Sequence, residues 1–442
     1  MGTATRARTA TSAPDRPAPD GARPAPVPTG PRPVRTVVPR TEARHRRLGP
    51  IRLDQLVLVQ LAAAGVVAAA AVHRILVVPA AVVGVVLVLL AVVRRRGRPL
   101  PEWLGTVVAL RRRRRRAAAA VLPPGTDPGL APAVECEPAL RSLSYTDRER
   151  RGIGMVGDGT SLTAMLRVEP GAAALRSGPG ERPLPLRLLY DALEVDGIRL
   201  ESVQAVQYTQ PAPAPHLPER SVAAASYRPL QAECGAPAVR LTWVALKLDP
   251  QLCREAVQAR GDGTEGAQRC LVRAADQLAS RLTGAGFRAT LLSEQELVTA
   301  LATSAGASPL ATARAGRPDS APARRTEEKA RAWRCDDRWH TTYGVVRWPE
   351  LGPGAAPLPS LVALLTHLPA LATTFSLTLS RGGRRSVAVR GHIRVTARSD
   401  GELVAARHTL ERLAREKRVG LLRLDREQVP GVLATLPLGG VR

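Results

Sequence analysis

The chain has 442 residues, more than the roughly 100–200 that one domain takes, with 64 basic against 38 acidic side chains and a net charge of +26. Only three basic residues are lysines (Lys247, Lys329, Lys417) and none follows a glycine, which excludes the Gly-Lys phosphate loop of P-loop ATPases. Five scattered cysteines (Cys136, Cys234, Cys253, Cys270, Cys335) form no C-x-x-C, which excludes a zinc knuckle and fits reduced thiols, and 3% aromatic content offers few stacking platforms for single-stranded nucleic acid.

Residues 1–50 are rich in Pro, Ala, Thr and Arg without an apolar period and predict a disordered cytosolic tail. Two apolar runs follow, 56–72 and 75–93, separated by His73 and Arg74. Each is near the ~20 residues that span a bilayer, so the expectation is a transmembrane hairpin within 54–93, turning at His73 and Arg74 and shaped by Pro79. Arg44, Arg46, Arg47 and Arg52 precede it and Arg94, Arg95, Arg96 and Arg98 follow it, which predicts an inner-membrane protein with two spanning helices and both termini cytoplasmic.

Pro101 predicts the start of an amphipathic helix in which Leu100, Trp103, Leu104, Val107, Val108 and Leu110 are apolar. Arg111, Arg112, Arg113, Arg114, Arg115 and Arg116 come next. Beside a hairpin, this run together with Arg94, Arg95, Arg96, Arg98 and Trp103 predicts a membrane-interface segment facing anionic phospholipid headgroups rather than a nucleic-acid patch. The segment 94–135 is thus basic, juxtamembrane and, from 117 on, a Gly-, Pro- and Ala-rich linker.

Beyond it the pattern of apolar periods repeats. Within 136–302 it predicts strand 161–168, helix 184–194, strands 198–208 and 239–248, helix 268–282 and strand 288–292. After a low-complexity linker at 303–328, residues 329–442 predict strand 341–347, helix 359–368, strands 375–379 and 387–397, helix 402–417 and strand 421–424. Both halves spell βαββαβ. The expected fold class is α+β, a two-helix transmembrane hairpin followed by a cytosolic tandem of two ferredoxin-like sandwiches.

Few motifs suggest chemistry. Gly152-x-Gly154-x-x-Gly157 has the spacing of a dinucleotide fingerprint, but a turn and a strand follow it where a helix is required. Cys335 and His340, with Asp336 and Asp337 between them, have no second ligand pair at zinc spacing and read as a strand start packed by Trp333 and Trp339. Ser293 and Glu296 have the spacing of a helix cap, and Arg381-Gly382-Gly383-Arg384-Arg385 reads as a solvated hairpin loop. No nucleophile with its base, no metal set and no cofactor site is identified.

The order of several segments resembles the EccE family of actinobacterial type VII (ESX) secretion systems. They are Gly97-Arg98-Pro99-Leu100-Pro101-Glu102-Trp103-Leu104, Arg260-Gly261-Asp262-Gly263, Leu292-Ser293-Glu294-Gln295-Glu296-Leu297, Trp348-Pro349, and Leu424-Asp425-Arg426-Glu427-Gln428 through Leu436-Pro437-Leu438-Gly439-Gly440. Asp262 stands where the family usually has a further glycine. The resemblance implies a non-enzymatic membrane subunit without cofactors that assembles with EccB, EccC and EccD, with EccC hydrolysing ATP, to support export of small W-x-G proteins. Readings from other classes are a membrane-tethered, degenerate transferase-like enzyme and a membrane-anchored nucleic-acid-binding protein.

Overall fold

The computed structural model describes residues 47–48, 51–73, 77–92, 94–95, 98–171, 183–211, 221–222, 225–226, 239–317, 323–350, 357–382 and 386–440. The expected tail lies almost wholly outside them, as do Arg74 and Arg96.

Two helices occupy the apolar runs, α1 (Leu53–Val72) and α2 (Val77–Val92), packed against each other with Gly84 facing Val66 and Ala62. The transmembrane expectation is corrected: among the described residues no helix is long and apolar enough to cross a membrane. The sixteen residues of α2 reach only about 24 Å at ~1.5 Å per residue, against a hydrocarbon core of ~30 Å. The twenty of α1 begin Leu53-Asp54-Gln55 and include Gln60. The apolar runs located the helices, but the helix described within 75–93 is shorter than the run from which it was read. The two-span localisation with both termini cytoplasmic falls with that correction.

Helix α3 (Leu100–Ala119) runs through the whole arginine block. The body then forms one antiparallel sheet of twelve strands: β1 (Arg141–Thr146), β2 (Gly152–Gly157), β3 (Leu162–Pro170), β4 (Ser202–Gln210), β5 (Val239–Leu248), β6 (Phe287–Leu291), β7 (Thr326–Glu328), β8 (Trp333–Cys335), β9 (Arg338–Arg347), β10 (Ala372–Arg381), β11 (Val387–Ala397) and β12 (Gly420–Arg423). Its main path is β7-β8-β9-β11-β10-β4-β5-β3-β2-β1, with β6 on β3 and β12 on β9. Outward from the β4–β10 joint the two halves repeat one order, β4, β5, β3, β6 and β10, β11, β9, β12.

The expectation of two ferredoxin-like sandwiches is also corrected. β4 and β10 pair from Ser202↔Ser380 to Thr209↔Thr373, so each half satisfies the backbone edge that the other would leave open. Helices cover both faces. On one, α5 (Leu186–Asp191), α6 (Arg254–Gln258), α7 (Gly263–Gly284), α10 (Leu358–Thr366) and α11 (Asp400–Glu416) bury Leu166, Leu246, Leu271, Phe375, Ile393 and Leu410. On the other, α4 (Ala131–Cys136), α8 (Glu294–Ala305) and α12 (Gln428–Thr435) bury Val206, Trp243, Leu297, Leu301, Trp333 and Val432, and the short α9 (Pro309–Ala315) follows α8 without burying a residue of its own. Ala372 to Leu379 of β10 is therefore buried without interruption, the mark of a strand covered on both faces.

Candidate assembly surface

The arginine block divides by helical phase. Arg113, one turn beyond the buried Leu110, faces the body and grips Glu328 of β7 bidentately with one guanidinium edge, Nε to Oε2 at 2.9 Å and Nη2 to Oε1 at 3.0 Å. The Glu328 side chain is 5% exposed, so this is a largely dry, charge-assisted contact. The same guanidinium donates to the Arg426 carbonyl, Arg114 Nε donates to the Glu328 carbonyl at 2.9 Å, and the Arg426 guanidinium lies 4.8 Å from the centre of the Trp103 ring. Arg111, Arg112, Arg115 and Arg116 remain exposed, and none of the four pairs with a carboxylate among the described residues. Arg94 and Arg95 form a two-residue ladder with Arg98 and Pro99. The structure thus binds Arg113, Arg114 and Trp103 into the body, apart from the four outward arginines. Glu328 was missed by sequence reasoning because its partner lies 215 positions away.

The second assembly feature fastens the β4–β10 joint. Gln204 Nε2 donates to Ser376 Oγ and to the Ala434 carbonyl, both at 2.9 Å, while its Oε1 accepts the Gly439 N–H at 2.8 Å. Ser376 Oγ reaches the same Ala434 carbonyl at 2.7 Å, and Ser202 Oγ donates to the Gly439 carbonyl at 2.5 Å. The family-like segment Leu436–Gly440 therefore crosses from one half-sheet to the other. Gly439 has φ +83°, and a Cβ there would stand 2.5 Å from the Lys247 Cβ, so glycine is required by both conformation and space. Lys247 Nζ in turn pairs with Asp158 at 3.1 Å. Partial burial pushes the Asp158 carboxyl up, but hydrogen bonds from Ser161 and Thr160 outweigh it and hold its pKa well below the usual range.

A polar layer lies under the end of α8. Arg394 is fully buried, and its Nη2 donates to the Ser304 carbonyl in the last turn of that helix, where the macrodipole is negative. Burial pushes its pKa down to about 10. His340 Nδ1 meets Thr396 Oγ1 at 3.0 Å, and its ring sits 4.9 Å from that of Trp333. Burial, then Arg394 and Arg338, holds the imidazole well below its ordinary pKa, and burial raises the thiols of Cys335 and Cys136. Protonated thiols are poorly suited to attack a substrate, and the His340 ring is enclosed in the core with Thr396 and Trp333 as its neighbours. Arg394 had a sequence signal that went unused, a charged residue set between the apolar Ile393 and Val395.

The remaining motifs have structural work. Gly152, Gly154 and Gly157 lie in β2, where a Cβ on Gly154 would stand 2.6 Å from the Glu294 backbone. Ser293 and Glu296 form the full capping box of α8. Asp336 pairs with Arg325 at 2.7 Å, and among the described residues no cluster of three or more His, Cys, Asp or Glu could hold a metal ion. Arg381 pairs with Glu194, while 383–385 lie outside the described residues.

Residues 236–345, from the approach to β5 through most of β9, match a family model described as "Putative type VII ESX secretion system translocon, EccE". Two curated relatives, both called ESX-1 secretion system protein EccE1 and both from Mycobacterium tuberculosis (strains CDC 1551 / Oshkosh and ATCC 25618 / H37Rv), are 43% identical over 54 residues. That stretch covers 12% of this chain and 12% of each relative. Among solved structures, an alkyldihydroxyacetonephosphate synthase aligns with 61% of this chain and 42% of its own at 8% identity and a TM-score of 0.24, a likeness that carries no argument. The matched family is described as a translocon component and not as an enzyme. The resemblance read from Arg260-Gly261-Asp262-Gly263 and Leu292–Leu297 is thus borne out over residues 236–345, the stretch of this chain that is similar to the EccE family model.

Proposed function

We propose that this chain is a non-catalytic subunit that assembles with EccB, EccC and EccD and supports export of small W-x-G proteins. The match over residues 236–345 carries the reading. Those residues include β5, next to the joint, and β7, which bears Glu328; they belong to the framework that binds α3 to the sheet. The polar groups that could be mistaken for chemistry, His340, Asp336 and Cys335, are absorbed in packing and ion pairs.

The test is genetic and biochemical. Deleting residues 117–442 is expected to abolish secretion or destabilise the secretion complex while EccC still hydrolyses ATP. Substituting the exposed Asp337, or the buried His340 in a variant shown by melting still to fold, is expected to leave secretion nearly intact, because interface energy resides in buried aromatic and arginine anchors. A secretion-dead point variant at either residue, with the complex assembled normally, overturns the proposal in favour of an enzyme.

A further inference from the structure

The outward side of α3 has its own order. Leu104 and Val108 are 43% and 44% exposed, and Arg111 and Arg115 are exposed beyond them. Their spacing of four, three and four residues places all four side chains on one line along a helix of ~3.6 residues per turn. It is the spacing of a coiled-coil contact line. The opposite side holds Leu110 and Arg113 against the body, and the Arg113–Glu328 pair sets the helix's rotation. What faces outward is therefore fixed, apolar in its first half and cationic in its second, with Arg112 and Arg116 alongside.

We propose that this line docks one amphipathic helix of a partner protein, carrying apolar residues opposite Leu104 and Val108 and Asp or Glu opposite Arg111 and Arg115. Charge complementarity sets the sign of the partner, and the division along the helix axis sets its class. A helix resting on a lipid surface separates apolar from basic side chains around its circumference. Here they share one direction, so sinking Leu104 and Val108 into acyl chains would draw two guanidiniums in with them. Nucleic acid would engage the arginines through phosphate and leave the apolar half uncovered. A protein helix with the reversed pattern covers both halves at once.

The inference rests on the reading of the chain as an assembly subunit, but its test reads this face alone. The probe is a fluorescent synthetic helix with leucines at two contact-line positions and glutamates at the next two. A peptide of the same composition in shuffled order is the control, and anisotropy is measured with the full chain. The ordered peptide is expected to bind at least tenfold more tightly than the shuffled one. Arg111→Glu with Arg115→Glu is expected to lose that tenfold, and a lysine-for-glutamate peptide to restore it on the doubly substituted chain. Val108→Ala should weaken binding without affecting salt dependence. Thermal melts establish that the variants fold, and Arg111→Gln with Arg115→Gln replaces the charge reversal should that variant not fold. Equal binding of ordered and shuffled peptides overturns the proposal. So does α3-dependent binding seen only with phosphatidylglycerol vesicles or duplex DNA. Either result leaves the secretion phenotype, and the subunit reading it tests, standing.

Discussion

Gln204 on β4 holds the main chain of Gly439 from 235 positions away, its Oε1 accepting the Gly439 N–H while its Nε2 serves Ser376 and Ala434. One fully buried amide thus ties a strand of the first half, a strand of the second and the segment that crosses them. Gln204→Leu has nearly the same volume and strands the Gly439 N–H. The expected loss is about 2 kcal/mol, because a buried donor left without an acceptor costs ~1–3 kcal/mol. Chemical denaturation measures it, and an unchanged midpoint would show that the joint is held by its β4–β10 ladder alone.

Glu328→Gln removes the charge that Arg113 grips. A hydrogen bond to a charged group contributes roughly 1.5–3 kcal/mol, so α3 should loosen from the body. Limited trypsin digestion is expected to cut within 111–116 several-fold faster than in the parent chain. Equal cleavage rates would mean that Trp103 and Arg426 hold the helix without the ion pair.

Two histidines, the buried His340 and the half-buried His392, make stability depend on pH. Burial, and then Arg390, pushes His392 down to about 4, and His340 is held well below its ordinary value. Unfolding lets both take up protons near pH 6.5, whereas the fold keeps them neutral. Their contribution is complete above about pH 6.5 and is lost as the pH falls from there toward 4, at up to about 1.4 kcal/mol per pH unit for each. Denaturation midpoints at pH 7, 6 and 5 should fall in that order, and His392→Gln should flatten the slope. A midpoint constant from pH 7 to 5 contradicts the enclosure of these rings in the fold.

Gly154→Ala separates packing from cofactor binding. The added methyl meets the Glu294 backbone, and overpacking of this kind costs ~1–3 kcal/mol. The melting temperature should drop by several degrees. No change in melting would place the start of α8 further from β2 than the structure has it.

Local order was legible in part: β1 and β2 were not read, and the glycines of β2 pointed to a loop. Strands 239–248 and 387–397 were read to the residue, and the capping box at Ser293 and Glu296 was read from spacing alone. The joining of the halves was not, because β4 and β10 meet through backbone edges, and any strand offers the same N–H and C=O groups. The apolar runs were legible as helices, but among the described residues α2 has sixteen residues, and the length of an apolar run does not measure the length of the helix within it. The arginine block announced its charge; that Arg113 is spent on Glu328 while Arg111 and Arg115 stay outward depends on helical phase against a distant strand.

The Leu436–Gly440 crossing has a consequence for synthesis. These residues follow all twelve strands in the chain, so a ribosome emits both half-sheets before the segment that fastens them. Until then Gln204 and Ser376 face each other without the Ala434 carbonyl and Gly439 amide that satisfy them. A nascent chain interrupted anywhere before residue 434 exposes an incompletely satisfied joint. Surveillance proteases that sense such openings would distinguish finished from unfinished copies before a partner could meet them.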